Sequence, residues 1–111
     1  MSPYDKAKEL VDNIRNCEET KEYLSAKEEV FKNEDCKELI KEFRSKQVEV
    51  QSLLLQGQEA DKEKMEKLQS LYQILVENPK VKDFFDKEVQ FDEMLSEIYK
   101  KIADGVKDII G

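Results

Sequence analysis

The sequence contains no histidine and no tryptophan, only three glycines and two prolines, and two cysteines among its 111 residues. Without histidine the chain lacks both the commonest general base and the commonest transition-metal ligand, which argues against an enzyme. So few glycines and prolines leave little to interrupt long helices. Two cysteines in a chain that opens "MSPYDKAKEL", with no apolar signal region, read as reduced thiols and not as a disulfide scaffold. No run approaches the roughly 18 apolar residues of a membrane span, so a cytoplasmic protein is expected. A basic excess is also missing. At a formal net charge of −7, direct nucleic-acid binding, which rests on cations displacing phosphate counterions, starts at a disadvantage. Any role near RNA would run through a protein partner.

What is present is charge and amphipathic spacing: 41% charged and 39% hydrophobic residues, enough for a thin core in one domain spanning 1–111. Helix punctuation occurs five times. Ser2 with Pro3 starts a first helix whose apolar residues Tyr4, Ala7, Leu10, Val11 and Ile14 share a face, and which ends near Asn16. Asn16 or Cys17 opens a second with Glu18 and Glu19 in its first turn and a stripe of Thr20, Tyr23, Leu24, Val30 and Phe31. Asn33 caps a third, whose seam of Cys36, Ile40, Phe43, Gln47, Val50 and Leu54 alternates by four and three residues until Gly57 ends it. Asp61 caps a fourth carrying Met65, Leu68, Leu71, Tyr72, Leu75 and Val76. Asn78 and Pro79 close that helix and begin a fifth, expected to run about 45 Å to Ile110.

The fifth helix carries its own heptad stripe, Val81, Phe84, Glu88, Phe91, Leu95, Ile98, Ile102, Gly105 and Ile109. Because it is longer than the fourth, its distal isoleucines need a cover. Either the first two helices supply it, giving a five-helix monomer, or a second subunit does so by symmetry. The reading adopted is an all-α bundle of antiparallel hairpins with heptad-like seams, assembled as a homodimer. The expected seam or dimer interface is Phe43, Arg44, Gln47, Val50 and Leu54 on the third helix with Phe84, Glu88, Phe91, Leu95, Ile98 and Ile102 on the fifth. Within it Glu88 is expected either to pair with Arg44 or the amide of Gln47, fixing the register of an apolar seam, or to turn toward water at the seam's edge.

No constellation announces chemistry, and no catalytic, cofactor-binding or metal residue is assigned. The pairs Glu18–Glu19 and Glu28–Glu29 fall among lysines on solvated helix faces, and carboxylates act as general acid/base pairs only where burial or close pairing shifts them. The aromatic set Phe43, Tyr72, Phe84, Phe85 and Phe91 has the spacing of core or seam residues. Lys80, Lys82 and Lys87, or Lys100, Lys101 and Lys107, are dispersed among acids and form no nucleic-acid stripe. Cys17 and Cys36 both sit in first turns and would supply four sulfurs in a dimer, the basis of an alternative metal or redox reading. Against it stand the missing CxxC spacing and the neighbouring Glu18, Glu19, Glu34 and Asp35; simple packing is the preferred role.

The run "FKNEDCKELIKEFRSKQVEVQSLLLQGQE", with Phe43, Arg44, Gln47, Gln51 and Gly57, followed by "NPKVKDFFDKEVQFDEMLSEIYKKI", with Phe84, Glu88, Leu95 and Ile102, resembles the small bacterial YlbF/YmcA-like family, closest to its YheA-like branch. The resemblance covers nearly the whole chain, though its motifs are diffuse. It implies an all-helical, non-enzymatic, cytosolic protein that self-associates. Better-studied relatives serve as accessory factors in complexes governing competence, sporulation and biofilm formation, in connection with a membrane-anchored ribonuclease that matures messenger RNA. Some of those complexes carry iron-sulfur clusters, and one relative has a cysteine-rich C-terminal tail. Here the sequence closes on "KDIIG", so neither the cluster nor that complex is carried over, and the possible regulatory partner has no name.

Overall fold

A computed structural model describes residues 2–59 and 61–111, and among them there are six helices and no strand. The helices are α1 (Pro3–Asn16), α2 (Glu18–Phe31), α3 (Glu34–Leu55), α4 (Lys62–Val76), α5 (Pro79–Gly105) and α6 (Lys107–Ile110). The chain divides into two compact units, Lys27–Asp83 on one hand and Met1–Ala26 with Phe84–Gly111 on the other.

The central unit, Lys27–Asp83, is built on an antiparallel hairpin of α3 and α4. Asn33 starts α3 by accepting the Cys36 N–H on its side-chain oxygen at 3.0 Å, satisfying a donor that has no partner within the helix. At the other end the Gln58 N–H reaches the Leu53 carbonyl at 3.0 Å and the Gly57 N–H the Leu54 carbonyl at 3.1 Å, with Gly57 at φ +76°. Those two bonds form a Schellman cap, which requires a left-handed residue after the helix. A Cβ at Gly57 would meet nothing within 4 Å, so its cost is purely conformational. Gly57→Ala should therefore lower stability by about 1–2 kcal/mol, with Gly57→Asn losing less, as read from urea midpoints.

Asp61 and Asn78 start α4 and α5 in the same way, accepting the N–H of Glu63 at 3.2 Å and of Lys80 at 3.0 Å. Across the hairpin Glu49 meets Lys64, Phe43 meets Tyr72 (ring centroids 5.9 Å apart) and Cys36 meets Asn78. Each step back along α3 is thus a step forward along α4. Val30, Ile40, Phe43, Val50, Leu71, Leu75 and Val81 are the buried apolar side chains of this unit. Along the stripe expected on α3, Ile40, Phe43 and Val50 are buried and Cys36 and Gln47 half-buried. By the same register Lys62, the first residue of α4, falls opposite Gln51–Leu53, so Leu54 and Leu55 extend past the end of their partner helix and are 57% and 89% exposed.

In the other unit Tyr23 of α2 stacks on two rings of α5, Phe84 at 5.8 Å and Phe91 at 5.1 Å. Phe84 and Phe85 are buried apolar residues here, with Thr20 the buried polar one. Lys87 reaches Glu22 at 3.3 Å. Cys17 stands between α1 and α2 in an extended conformation, and its carbonyl accepts the Lys21 N–H; Cys17, and not Asn16, therefore opens α2. On α1 no residue is fully buried: of the expected face, Leu10 and Ile14 are half-covered while Tyr4, Ala7 and Val11 are exposed.

The fifth helix stops short of the expected end at Ile110. Gly105 gives the backbone its weakest helical residue. Val106 then leaves the helix at φ −117°, ψ 7°, and only the short α6 follows. No packing compensates, because Ile109 and Ile110 remain 77% and 81% exposed. Gly105 and Ile109 are consequently not core positions, although the heptad count puts them on the stripe.

Candidate interaction surface

The seam side chains of the α3–α4 hairpin separate two flanks of different chemistry. One flank is ionic. Glu42, Lys46, Glu63, Glu66, Lys67 and Ser70 line a depression there beside Leu71 and Ile74, with Lys46 4.0 Å from Glu42 and Lys67 3.3 Å from Glu63. Nearby, Lys64 Nζ lies 2.6 Å from Glu49 Oε1.

The hydrogen bond from Lys64, followed by its charge, holds the Glu49 carboxyl below the ordinary carboxylate range, and Glu49 raises Lys64 in return. Lys80 and Glu29, at 2.8 Å, act on each other in the same directions. A carboxyl that is more acidic when folded contributes stability above its unfolded pKa, and that stability is lost as pH falls through the folded value. A lysine raised on folding contributes below its unfolded pKa and loses its share as pH rises through the raised one. The melting temperature should therefore fall toward acid from about pH 4.5 downward. Glu49→Gln should make that fall slightly shallower, and molar salt should shrink the difference, because the pair is exposed and screened.

The opposite flank is apolar. Phe43 and Gln47 of α3 and Met65, Leu68, Gln69 and Tyr72 of α4 enclose a groove of about 510 Å³, with Lys62 and Glu66 at its rim. On α4 these residues follow the spacing of one helical face next to the seam. Met65 and Tyr72 stay 45% and 41% exposed, and Leu54 and Leu55 are exposed at the C-terminal end of α3.

Of the interface residues expected on α3, Phe43 and Val50 are buried, Arg44 and Gln47 half-buried, and Leu54 exposed. Arg44 Nη1 donates to Gln47 Oε1 at 3.5 Å. Of those expected on α5, Phe84 is buried, Glu88, Phe91, Leu95 and Ile98 are half-buried, and Ile102 is 53% exposed. Glu88 accepts a hydrogen bond from the Tyr23 phenol at 3.3 Å. Reading the sequence as a single stripe per helix missed the groove-forming role of Met65, Leu68, Gln69 and Tyr72. The available signal was the width of the apolar arc on α4, broader than one partner helix covers, together with "SLLLQG", whose three successive leucines cannot all face one seam.

The two cysteines are free and half-buried. The Cys17 thiol donates to the Ile14 carbonyl at 3.1 Å and lies 3.6 Å from the Met94 sulfur, while Cys36 Sγ accepts from Asn78 at 3.6 Å. Among the described residues no three His, Cys, Asp or Glu side chains are grouped to hold a metal ion, and no helix is long and apolar enough to cross a membrane.

Residues 4–107 match the family model described as "Control of competence regulator ComK, YlbF/YmcA". A UPF0342 protein of Caldicellulosiruptor saccharolyticus is 36% identical over 103 residues, covering 93% of this chain and 86% of that protein. Another, from Symbiobacterium thermophilum, is 30% identical over 103 residues, with 93% and 92% covered. A solved protein of unknown function (DUF964) from Bacillus stearothermophilus superposes with a TM-score of 0.81 at 18% identity, over 96% of this chain and 93% of that one; it shares the fold.

Proposed function

The chain belongs to the YlbF/YmcA family, described as controlling a competence regulator, and from that premise we propose that it is a cytoplasmic regulatory interaction protein. It acts as a homodimer and presents helical faces to another protein, with no reaction of its own. The observation that carries this reading is the apolar flank of the α3–α4 hairpin, which leaves Met65, Tyr72, Leu54 and Leu55 uncovered on one chain. Exposed apolar side chains grouped beside a groove are a feature of interaction sites. The absence of a basic face directs the expectation to a protein partner and away from nucleic acid.

Capture of the tagged full-length chain from its own host, with crosslinking before lysis and at several growth phases, tests the reading. A recurrent protein recovered in near-stoichiometric amount, whose regulatory output changes when the chain is deleted, is the expected result. Recovery of no recurrent protein at any phase, with an unchanged regulatory output, overturns it.

A further inference from the structure

We propose that the C-terminal end of α5, together with α6, is a membrane-docking element that lies flat in the headgroup region of an anionic bilayer. This goes beyond the regulatory reading above, and either can fail without the other.

The first observation is an apolar arc in contact with water. Tyr99, Ile102, Val106, Ile109 and Ile110 are all exposed, whereas Phe84 and Phe85 near the start of α5 are buried. At about 100° per residue, Ile98, Ile102, Tyr99 and Ala103 occupy one arc of about 140° around the end of α5. Val106 interrupts the helix at φ −117°, ψ 7°. Carried across that one residue, the same rotation brings Val106, Ile109 and Ile110 onto the arc. The stretch is shorter than the roughly 20 residues that span a bilayer and keeps a charged face, so it suits the membrane surface and not its interior.

The second observation is the order of charges around the helix. Lys101 borders the arc on one side and Lys100 on the other, with Asp104 between them, opposite the centre of the arc. The continuation repeats the arrangement, Lys107 falling beside Lys100 and Asp108 beside Asp104. Lysines at the borders keep their ammonium groups at the lipid phosphates while their stems lie along apolar surface, and the two carboxylates face water. The rim of a protein partner would accept either sign. Cations sorted to both borders and acids to the far side are what an anionic sheet requires of a helix lying on it. Tyr99, on the arc, supplies an apolar ring with a polar tip, a group suited to headgroup depth.

The net charge of −7 does not forbid this contact. Residues 98–111 carry three lysines and two aspartates, so the acidic excess belongs to the rest of the chain. Charges farther away than about 8 Å are largely screened at physiological salt.

Co-sedimentation of the full-length chain with vesicles tests the proposal, using phosphatidylcholine alone and phosphatidylcholine mixed with phosphatidylglycerol. Lipid is taken to about 1 mM, which brackets the affinity of a single acyl anchor. The parent chain should bind the mixed vesicles at least about tenfold more tightly than the neutral ones. Lys100→Glu with Lys101→Glu should abolish that preference. Ile109→Glu with Ile110→Glu should weaken binding at least about 100-fold, since two isoleucines no longer leave water. Met65→Glu with Tyr72→Glu, on the hairpin, should leave it unchanged. Far-UV circular dichroism checks that each variant keeps its helices. The chain has no tryptophan, so Tyr99→Trp is a single reporter that leaves the charges and isoleucines in place. Its emission should shift to the blue on adding mixed vesicles, and that of Tyr72→Trp should not.

A parent chain that stays in the supernatant, with unshifted Tyr99→Trp emission, overturns the proposal. Binding that the Met65 and Tyr72 changes abolish and the Ile109 and Ile110 changes spare also overturns it, since the lipid contact would then lie on the hairpin. If no vesicle is bound and the Ile109 and Ile110 changes dissociate a dimer in sedimentation velocity, the arc belongs to a second copy; the proposal falls and the homodimer stands.

Discussion

Replacing Phe84 with alanine is expected to lower the free energy of unfolding by about 3–5 kcal/mol, among the largest effects available to a single substitution in this chain. Phe84 is 1% exposed. Its ring lies nearly parallel to Tyr23 at 5.8 Å and tilted against Phe85 at 5.7 Å. Alanine removes the buried ring and leaves a cavity beneath Tyr23, which also stacks on Phe91. A domain of this size has a total stability of about 6–17 kcal/mol, and a core this thin belongs toward the lower end. The variant should thus be marginal at 37 °C. Urea unfolding followed by helical ellipticity should show a much lower midpoint, while Phe84→Leu, closer in volume, should lose less than about 2 kcal/mol. A loss under about 1 kcal/mol for the alanine would mean that Phe84 is not the core residue its burial indicates.

The second large effect is expected at Leu75, and its neighbour supplies the control. Leu75 is 2% exposed and Ile74 56%, a contrast set by the 100° turn between successive residues of α4. Leu75→Ala should cost about 2–5 kcal/mol, whereas Ile74→Ala should stay within about 0.5 kcal/mol. Both belong at the same protein concentration, since association adds a mass-action term to apparent stability. Equal losses at the two positions would contradict the orientation of α4.

The helix starts were legible because capping chemistry is local. Ser2, Asn33, Asp61 and Asn78 each receive an N–H only two or three residues away, so the necessary information lies within one turn of sequence. The direction of the apolar faces of α3 and α4 was legible for the same reason, whereas the face expected on α1 has no buried residue. How far along a face burial extends was not legible. Val50 and Leu54 are equivalent by heptad count, yet one is buried and the other 57% exposed, because the difference depends on where α4 begins. Phe84 and Ile102 likewise share the α5 stripe at 1% and 53% exposure. Glu88 posed the harder question. Its phenolic donor, Tyr23, is 65 residues away, and no local pattern relates an acid on one helix to a tyrosine on another that far back. The groove was hidden by a different ambiguity. Spacing shows that α4 is apolar over a wide arc, but only the register with α3 decides that Leu71 and Leu75 are covered while Met65 and Tyr72 line an open flank.

The hairpin and the outer helices also differ in when they can form. α3 and α4 are joined by the short segment 56–61, a loop of the kind that closes in well under a microsecond, so the hairpin can assemble soon after its residues are synthesised. Tyr23 must wait for Glu88, 65 residues later, and Cys17 for Met94, 77 residues later. At about 5–20 residues per second that delay is on the order of 3–15 s. During that interval α2 has left the ribosome with the ring of Tyr23 still uncovered. The contacts of α2 with α5 therefore close last in synthesis, whereas those within the hairpin can close first.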